Sequence, residues 1–147
     1  MFKPRFAGFL CNIKAMEQRN VVVDVIAIKD NKIALVKRKY VPCKGFYALP
    51  GGFVDKGETT KGAALRELKE ETNLSGQVDF LVGFYDDPNR DPRQNVTFAY
   101  VVKADGELKA ADDAEQAAWF NLDKLPPLAF DHQQIIEDFK TGKKLEK

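Results

Sequence analysis

Five acidic side chains fall within Gly52–Leu74, the stretch GFVDKGETTKGAALRELKEETNL: Asp55, Glu58, Glu67, Glu70 and Glu71. Glu67, Glu70 and Glu71 stand at i, i+3 and i+4, so on a helix turning about 100° per residue they share an arc of about 100°. Carboxylate oxygen is the ligand that hard divalent cations prefer, and Mg²⁺ bridges readily to phosphate. The spacing therefore suggests a carboxylate cage for one or more Mg²⁺ ions, with Mn²⁺ as an alternative, holding a phosphate-containing substrate for attack by water.

Thr60 to Thr72 contains no proline and is rich in Ala, Leu, Glu and Lys, which predicts a helix. Leu65, Leu68 and the methyl of Thr72 lie opposite the acids and can pack inward, while Ala63 and Ala64 flank the acidic arc with little bulk. Without a ligand this is poor helix design. Each like-charged pair costs a few tenths of a kcal/mol. Acids in the last turn also face the negative end of the helix dipole, at roughly 0.3–1 kcal/mol apiece. Arg66, four residues before Glu70, offsets part of this. Taken alone, E-x-x-E-E also fits a solvated surface helix. The context favours a site: Pro50, Gly51 and Gly52 make a turn ahead of the helix, Gly57-Glu58 leads into it, and Thr59 or Thr60 can cap it.

The surrounding chain reads as strands and one further helix. Val21 to Ile28 is an almost continuous β-branched run, expected as a buried strand. Asp30-Asn31-Lys32 turns it into a second strand, Ile33 to Lys37, forming a hairpin. Arg38 and Lys39 follow, either solvated or set to meet phosphate. Tyr40 to Tyr47, with Pro42 and Gly45, is expected as a loop, and a ring at Phe46 or Tyr47 could stack on a base or pack in the core. Gln77 to Phe84, Val96 to Val102 and Ala117 to Phe120 read as strands. Asp131 to Phe139 reads as a helix capped by Asp131, followed by a frayed tail. The class is α+β, a mixed sheet between helices, in a single domain over residues 1–147 with its core at about 20–139.

Gly52, Glu58, Arg66, Glu67, Leu68, Glu70, Glu71 and Leu74 carry a family resemblance. They match the pattern G-x5-E-x7-R-E-U-x-E-E-x-G-U, with U aliphatic, of the Nudix hydrolases. Eight of its nine defined positions agree; the ninth, usually glycine, is Asn73, the residue next best suited to a left-handed helix end. The resemblance implies an α/β/α sandwich and hydrolysis of a nucleoside diphosphate linked to another group. It implies Glu67, Glu70 and Glu71 as the principal metal ligands, Glu58 completing or orienting the cage, and Arg66 holding the glutamates. The peptide groups around Gly51 and Gly52 would shape the metal site. Glu67 is one candidate general base; an acid from a later loop is the other, where Asp112, Asp113 and Glu115 fall.

Outside that pattern, Asp87-Pro88-Asn89-Arg90-Asp91-Pro92-Arg93 is stiffened by its prolines and carries two arginines suited to bidentate phosphate contacts. Ion pairs of Arg90 and Arg93 with Asp86, Asp87 or Asp91 are the alternative. This segment and Leu128–His132 resemble the ADP-ribose pyrophosphatase branch, which implies ADP-ribose as substrate and AMP and ribose 5-phosphate as products. A hydrolase for nucleoside triphosphates or other nucleoside diphosphate sugars is the nearest alternative. A non-cleaving nucleotide sensor is another, disfavoured by the intact acidic set and by a chain with no room for an appended DNA-binding domain.

Composition bounds the rest. Hydrophobic content of 44% and charged content of 31% fit a soluble globular protein, and a net charge of +1 argues against a broad nucleic-acid surface. Cys11 and Cys43 are isolated, which suits reduced thiols in the cytoplasm, and lone His132 cannot build a zinc site. The apolar run near the N-terminus is too short and broken for a signal peptide or a membrane span. The resemblance also allows a homodimer, although no interface stripe stands out.

Overall fold

A computed structural model describes residues 18–111 and 116–145. Strands β1 (Val21–Lys29), β2 (Lys32–Lys37), β3 (Tyr47–Ala48) and β4 (Gly51–Phe53) precede helix α1 (Thr60–Thr72). Strands β5 (Ser75–Tyr85), β6 (Val96–Asp105) and β7 (Gln116–Asn121) follow, and helix α2 (His132–Lys140) comes last. Among the described residues all seven strands join one mixed sheet along the path β3-β2-β1-β6-β5, with β4 also on β1 and β7 on β2.

β1 is central because its sequence lets both faces be buried. Val23, Val25 and Ala27 pack with Ala63, Ala64 and Leu68 of α1. Ile26, on the other parity, packs with Ile135 and Ile136 of α2. Strand alternation thus sends successive residues to two cores, one under each helix. The β1–β2 hairpin forms as expected, pairing Ile28 with Ile33, while β6 runs parallel along β1's other edge from Val21↔Val96 to Ile28↔Lys103.

The short strands β3 and β4 were not anticipated: two or three residues around Pro50 and two glycines give no periodicity. Their order comes from partners. β4 pairs with β1 through Asp24↔Gly51, Val23↔Gly52 and Val22↔Phe53, so the glycine turn is stitched to the centre of the sheet. The tail also departs from expectation. Rather than fraying after Phe139, it docks: the Leu145 N–H donates to Leu81 O at 2.8 Å, and Lys144 Nζ lies 4.4 Å from the centre of the Phe80 ring. No helix among the described residues is long and apolar enough to cross a membrane.

Candidate functional site

Helix α1 begins at Thr59, whose hydroxyl accepts from Gly62 N–H at 3.0 Å, and ends at Asn73. Asn73 adopts φ 65°, and its N–H closes on Lys69 O at 2.9 Å. Asparagine therefore takes the left-handed position that ends the helix. Ala63, Ala64, Leu68 and Thr72 are the buried face, with Leu65 half-buried, which turns the acids toward the glycine turn.

At that turn the carboxylates converge on a guanidinium. Arg66 Nε and Nη2 donate to the two oxygens of Glu58 at 2.7 and 2.8 Å. Its Nη1 donates to Glu67 at 2.9 Å and Glu70 at 3.1 Å, and Nη2 also reaches Phe53 O at 2.9 Å. Asp55 lies 3.4 Å from the same guanidinium. Among the described residues no three acidic, histidine or cysteine side chains stand together in a metal-ligating arrangement. Arg66 bridges the acids, so mutual repulsion of the glutamates is already partly relieved.

The donor set still fits a hard divalent ion. Four carboxylates surround one guanidinium and a fifth, Glu71, stands nearby on the Gly51 peptide, leaving a negative surplus. Burial pushes the Glu67 carboxyl up, against the opposing pull of Arg66, so its ionised form would gain from a nearby cation. Glu58 behaves differently: the hydrogen bonds from Arg66, then that from Asp55 N–H, hold it down at about 2. Glu58 in turn raises Arg66 above its ordinary value. Glu71 is turned to the backbone, accepting from Gly51 N–H at 3.3 Å.

Gly51 and Gly52 are required by close approach. A Cβ on Gly52 would sit 2.5 Å from the Glu67 carboxylate, and one on Gly51 would sit 2.0 Å from Val23 O and 2.6 Å from Asp24 Oδ1. Any side chain there would displace the acids or the strand.

Gly51, Gly52 and Glu71 line a cleft that they share with Asp24, Arg38, Arg90, Arg93, Phe130 and His132. Arg38 Nε donates to Pro42 O at 2.7 Å, and burial followed by repulsion from Arg93 lowers its pKa. The Arg38 and Arg93 guanidiniums lie 4.9 and 5.2 Å from the centre of the Phe130 ring. Phe130 itself has φ 51°, a left-handed conformation rare for a bulky residue. Arg93 is held to Asp91 at 3.2 Å, one of the pairings the sequence allowed. Burial raises the Asp91 carboxyl, but the Arg93 N–H and guanidinium outweigh this and hold it low.

Arg90 was expected to meet phosphate or pair within its own loop. Instead its guanidinium, 6% exposed, forms a two-pronged pair with Asp131 at 2.7 and 2.8 Å and donates to Asn95 O at 2.9 Å. Asp131 is thereby occupied and makes no side-chain cap on α2, contrary to the sequence expectation. Phe46 is exposed and lies outside the cleft lining; the rings that line it are Tyr40, Phe53 and Phe130. Tyr47 packs instead, edge-on to Phe120 at 4.8 Å. Asp112, Asp113, Glu115, Cys11 and the N-terminal run lie outside the described residues.

Sequence reasoning missed Asp24 and His132. Asp24 was legible as the one acid inside an apolar strand. His132 fell in the segment Leu128–His132 that resembles the ADP-ribose pyrophosphatase branch, but its role was not legible, because its partners lie far away in the chain.

An acid-rich helix behind a double-glycine turn, on a mixed sheet with a helix on each face, defines a class. The chain belongs to the NUDIX family: the NUDIX domain matches residues 18–139. It is 53% identical over 125 residues to an ADP-ribose pyrophosphatase of Methanocaldococcus jannaschii, spanning 84% of this chain and 74% of that protein. It is 30% identical over 113 residues to the ADPR responsive transcriptional repressor NtrR of Acinetobacter baylyi, spanning 72% of this chain and 45% of that one. The fold superposes with TM-score 0.79 and 28% identity on the NUDIX domain of Shewanella oneidensis NrtR complexed with ADP ribose, covering 92% of this chain and 96% of that chain.

Proposed function

We propose that this protein is a divalent-metal-dependent pyrophosphohydrolase that cleaves ADP-ribose to AMP and ribose 5-phosphate. The observation that carries the reading is one cleft with an acidic side at Glu71 and the glycine turn and a basic side at Arg38 and Arg93. A diphosphate carried by a divalent cation has the complementary pair of charges. The 53% identity to an ADP-ribose pyrophosphatase supports the choice of substrate.

Glu67, Glu70 and Glu71 would hold the ion beside the Gly51 peptide. When bound, Mg²⁺, or Mn²⁺ in its place, would neutralise the diphosphate and would acidify a water. Arg66 keeps Glu67 and Glu70 in position through charge-assisted hydrogen bonds, and Glu58 fixes Arg66. Glu67 takes the proton as the water oxygen bonds to phosphorus; the P–O bond to the bridging oxygen breaks, and its electron pair leaves with the departing phosphate. Glu115 is the alternative base. Arg38 and Arg93 bind phosphate oxygens, while Arg90 fixes the loop through Asp131. Cys43 is a free thiol, which suits the cytoplasm.

The test is incubation with ADP-ribose and Mg²⁺ or Mn²⁺, with product identification, for the parent and Glu70→Gln. AMP and ribose 5-phosphate from the parent, greatly reduced in the variant, are expected. Likeness to NtrR and NrtR favours a second reading, a sensor. Binding of ADP-ribose without turnover in any divalent metal selects it. Faster turnover of a nucleoside triphosphate selects a housekeeping hydrolase instead.

A further inference from the structure

Asp24 is a carboxylate in the middle of the apolar run of β1, 8% exposed. A buried charge there is unfavourable unless hydrogen bonds compensate it. Its partner is His132, itself 4% exposed, with Nε2 3.2 Å from Asp24 Oδ2. The other ring nitrogen, Nδ1, accepts from Leu49 N–H at 3.0 Å, so the imidazole carries the proton that faces Asp24 on Nε2.

These bonds extend a backbone ladder. Tyr47 N–H donates to Pro127 O at 3.2 Å, and Ala129 N–H donates to Tyr47 O at 2.8 Å. There the backbone of 127–129 turns away into α2, and the His132 ring takes over as the acceptor for Leu49. The next residues are the ones against which the glutamates rest. Pro50 O accepts from Val25 N–H at 2.8 Å, Gly51 N–H meets Glu71, and Gly52 packs on the Glu67 carboxylate. The Arg90–Asp131 pair anchors the residue just before His132.

We infer that His132 is a positioning residue for the carboxylate site: through Leu49 it sets the Pro50–Gly52 turn against which Glu67 and Glu71 rest, so divalent-cation affinity depends on it. This rests on the metal-binding reading above. Both ring nitrogens are engaged elsewhere, by Leu49 and Asp24, so His132 acts on the ion only through the turn.

Two variants separate the two bonds. His132→Asn places an oxygen where Nδ1 lies, keeping the acceptor for Leu49 and dropping Asp24. His132→Gln places its amide where Nε2 lies, keeping Asp24 and dropping Leu49. Mn²⁺ is titrated into each metal-free full-length protein, and free Mn²⁺ is read by electron paramagnetic resonance. Circular dichroism confirms folding at the working temperature. His132→Gln should weaken Mn²⁺ binding by about 10- to 100-fold, as lost outer-shell support does, while His132→Asn stays close to the parent even if it melts earlier. Unchanged binding in His132→Gln overturns the inference, and so does equal weakening in both variants. No Mn²⁺ binding by the parent overturns the metal reading itself, and with it this inference.

Discussion

Arginine serves opposite purposes on the two sides of the cleft. At Arg66, one guanidinium is wrapped by Asp55, Glu58, Glu67 and Glu70, with Glu71 close by on the Gly51 peptide. On the far side, the cations Arg38, Lys39, Arg90 and Arg93 meet three carboxylates, Asp24, Asp91 and Asp131. Matching the pairs leaves a negative remainder on one side and a positive remainder on the other. The pairs are architecture. The remainders are what a ligand can answer, and a cation bound to a diphosphate answers both.

Variants can break this contrast at points of decreasing effect. Glu67→Gln removes negative charge where the reading places both the metal and the proton acceptor. A fall in kcat of about 10²–10⁴ is expected, with little loss of thermal stability because burial disfavours that carboxylate's charge; near-parental turnover would remove Glu67 from the chemistry. Arg90→Met removes the buried guanidinium that holds half-buried Asp131 and Asn95 O, and should cost about 1–3 kcal/mol of stability by urea unfolding. If it instead altered only KM, Arg90 would belong with the binding arginines.

Arg38→Met tests the positive remainder. Losing one charge-assisted contact, worth about 1.5–3 kcal/mol, should raise KM for ADP-ribose tenfold or more with kcat held. Stability should change little, since the lost bond to Pro42 O is offset by relief of Arg38's desolvation and its repulsion by Arg93. Glu58→Gln tests the structural half of the acidic side. Glu58 sits at about 2 in the folded protein against an ordinary value of 4.5, so its contribution is complete above pH 4.5 and is lost as pH falls toward 2. Acid unfolding curves of Glu58→Gln should therefore depend less steeply on pH across that window; an unchanged slope would detach Glu58 from Arg66.

What the sequence disclosed follows from how local each signal is. The α1 acids lie within a few turns of one helix, so spacing revealed them; the cap was narrowed to Thr59 or Thr60, and the Asn73 end came from the family resemblance. The β1–β2 hairpin and the later strands show as apolar runs separated by turn residues. Arg90 was legible as a charged loop residue, but its partner lies 41 positions away, and no pattern in the loop distinguishes Asp131 from Asp86, Asp87 or Asp91. His132 poses the same difficulty, with bonds that form only once β1, β3 and α2 have assembled. Phe46 and Phe130 are equally aromatic on paper; which ring faces the cleft is decided by the backbone turn that carries it.

Phe130 carries a consequence for anyone altering this protein. Its left-handed backbone is roughly 1–2 kcal/mol less comfortable for phenylalanine than for glycine. Directed evolution for heat tolerance alone would drift toward glycine at that position and strip the aromatic surface from the cleft, whereas selection on turnover would hold the ring in place.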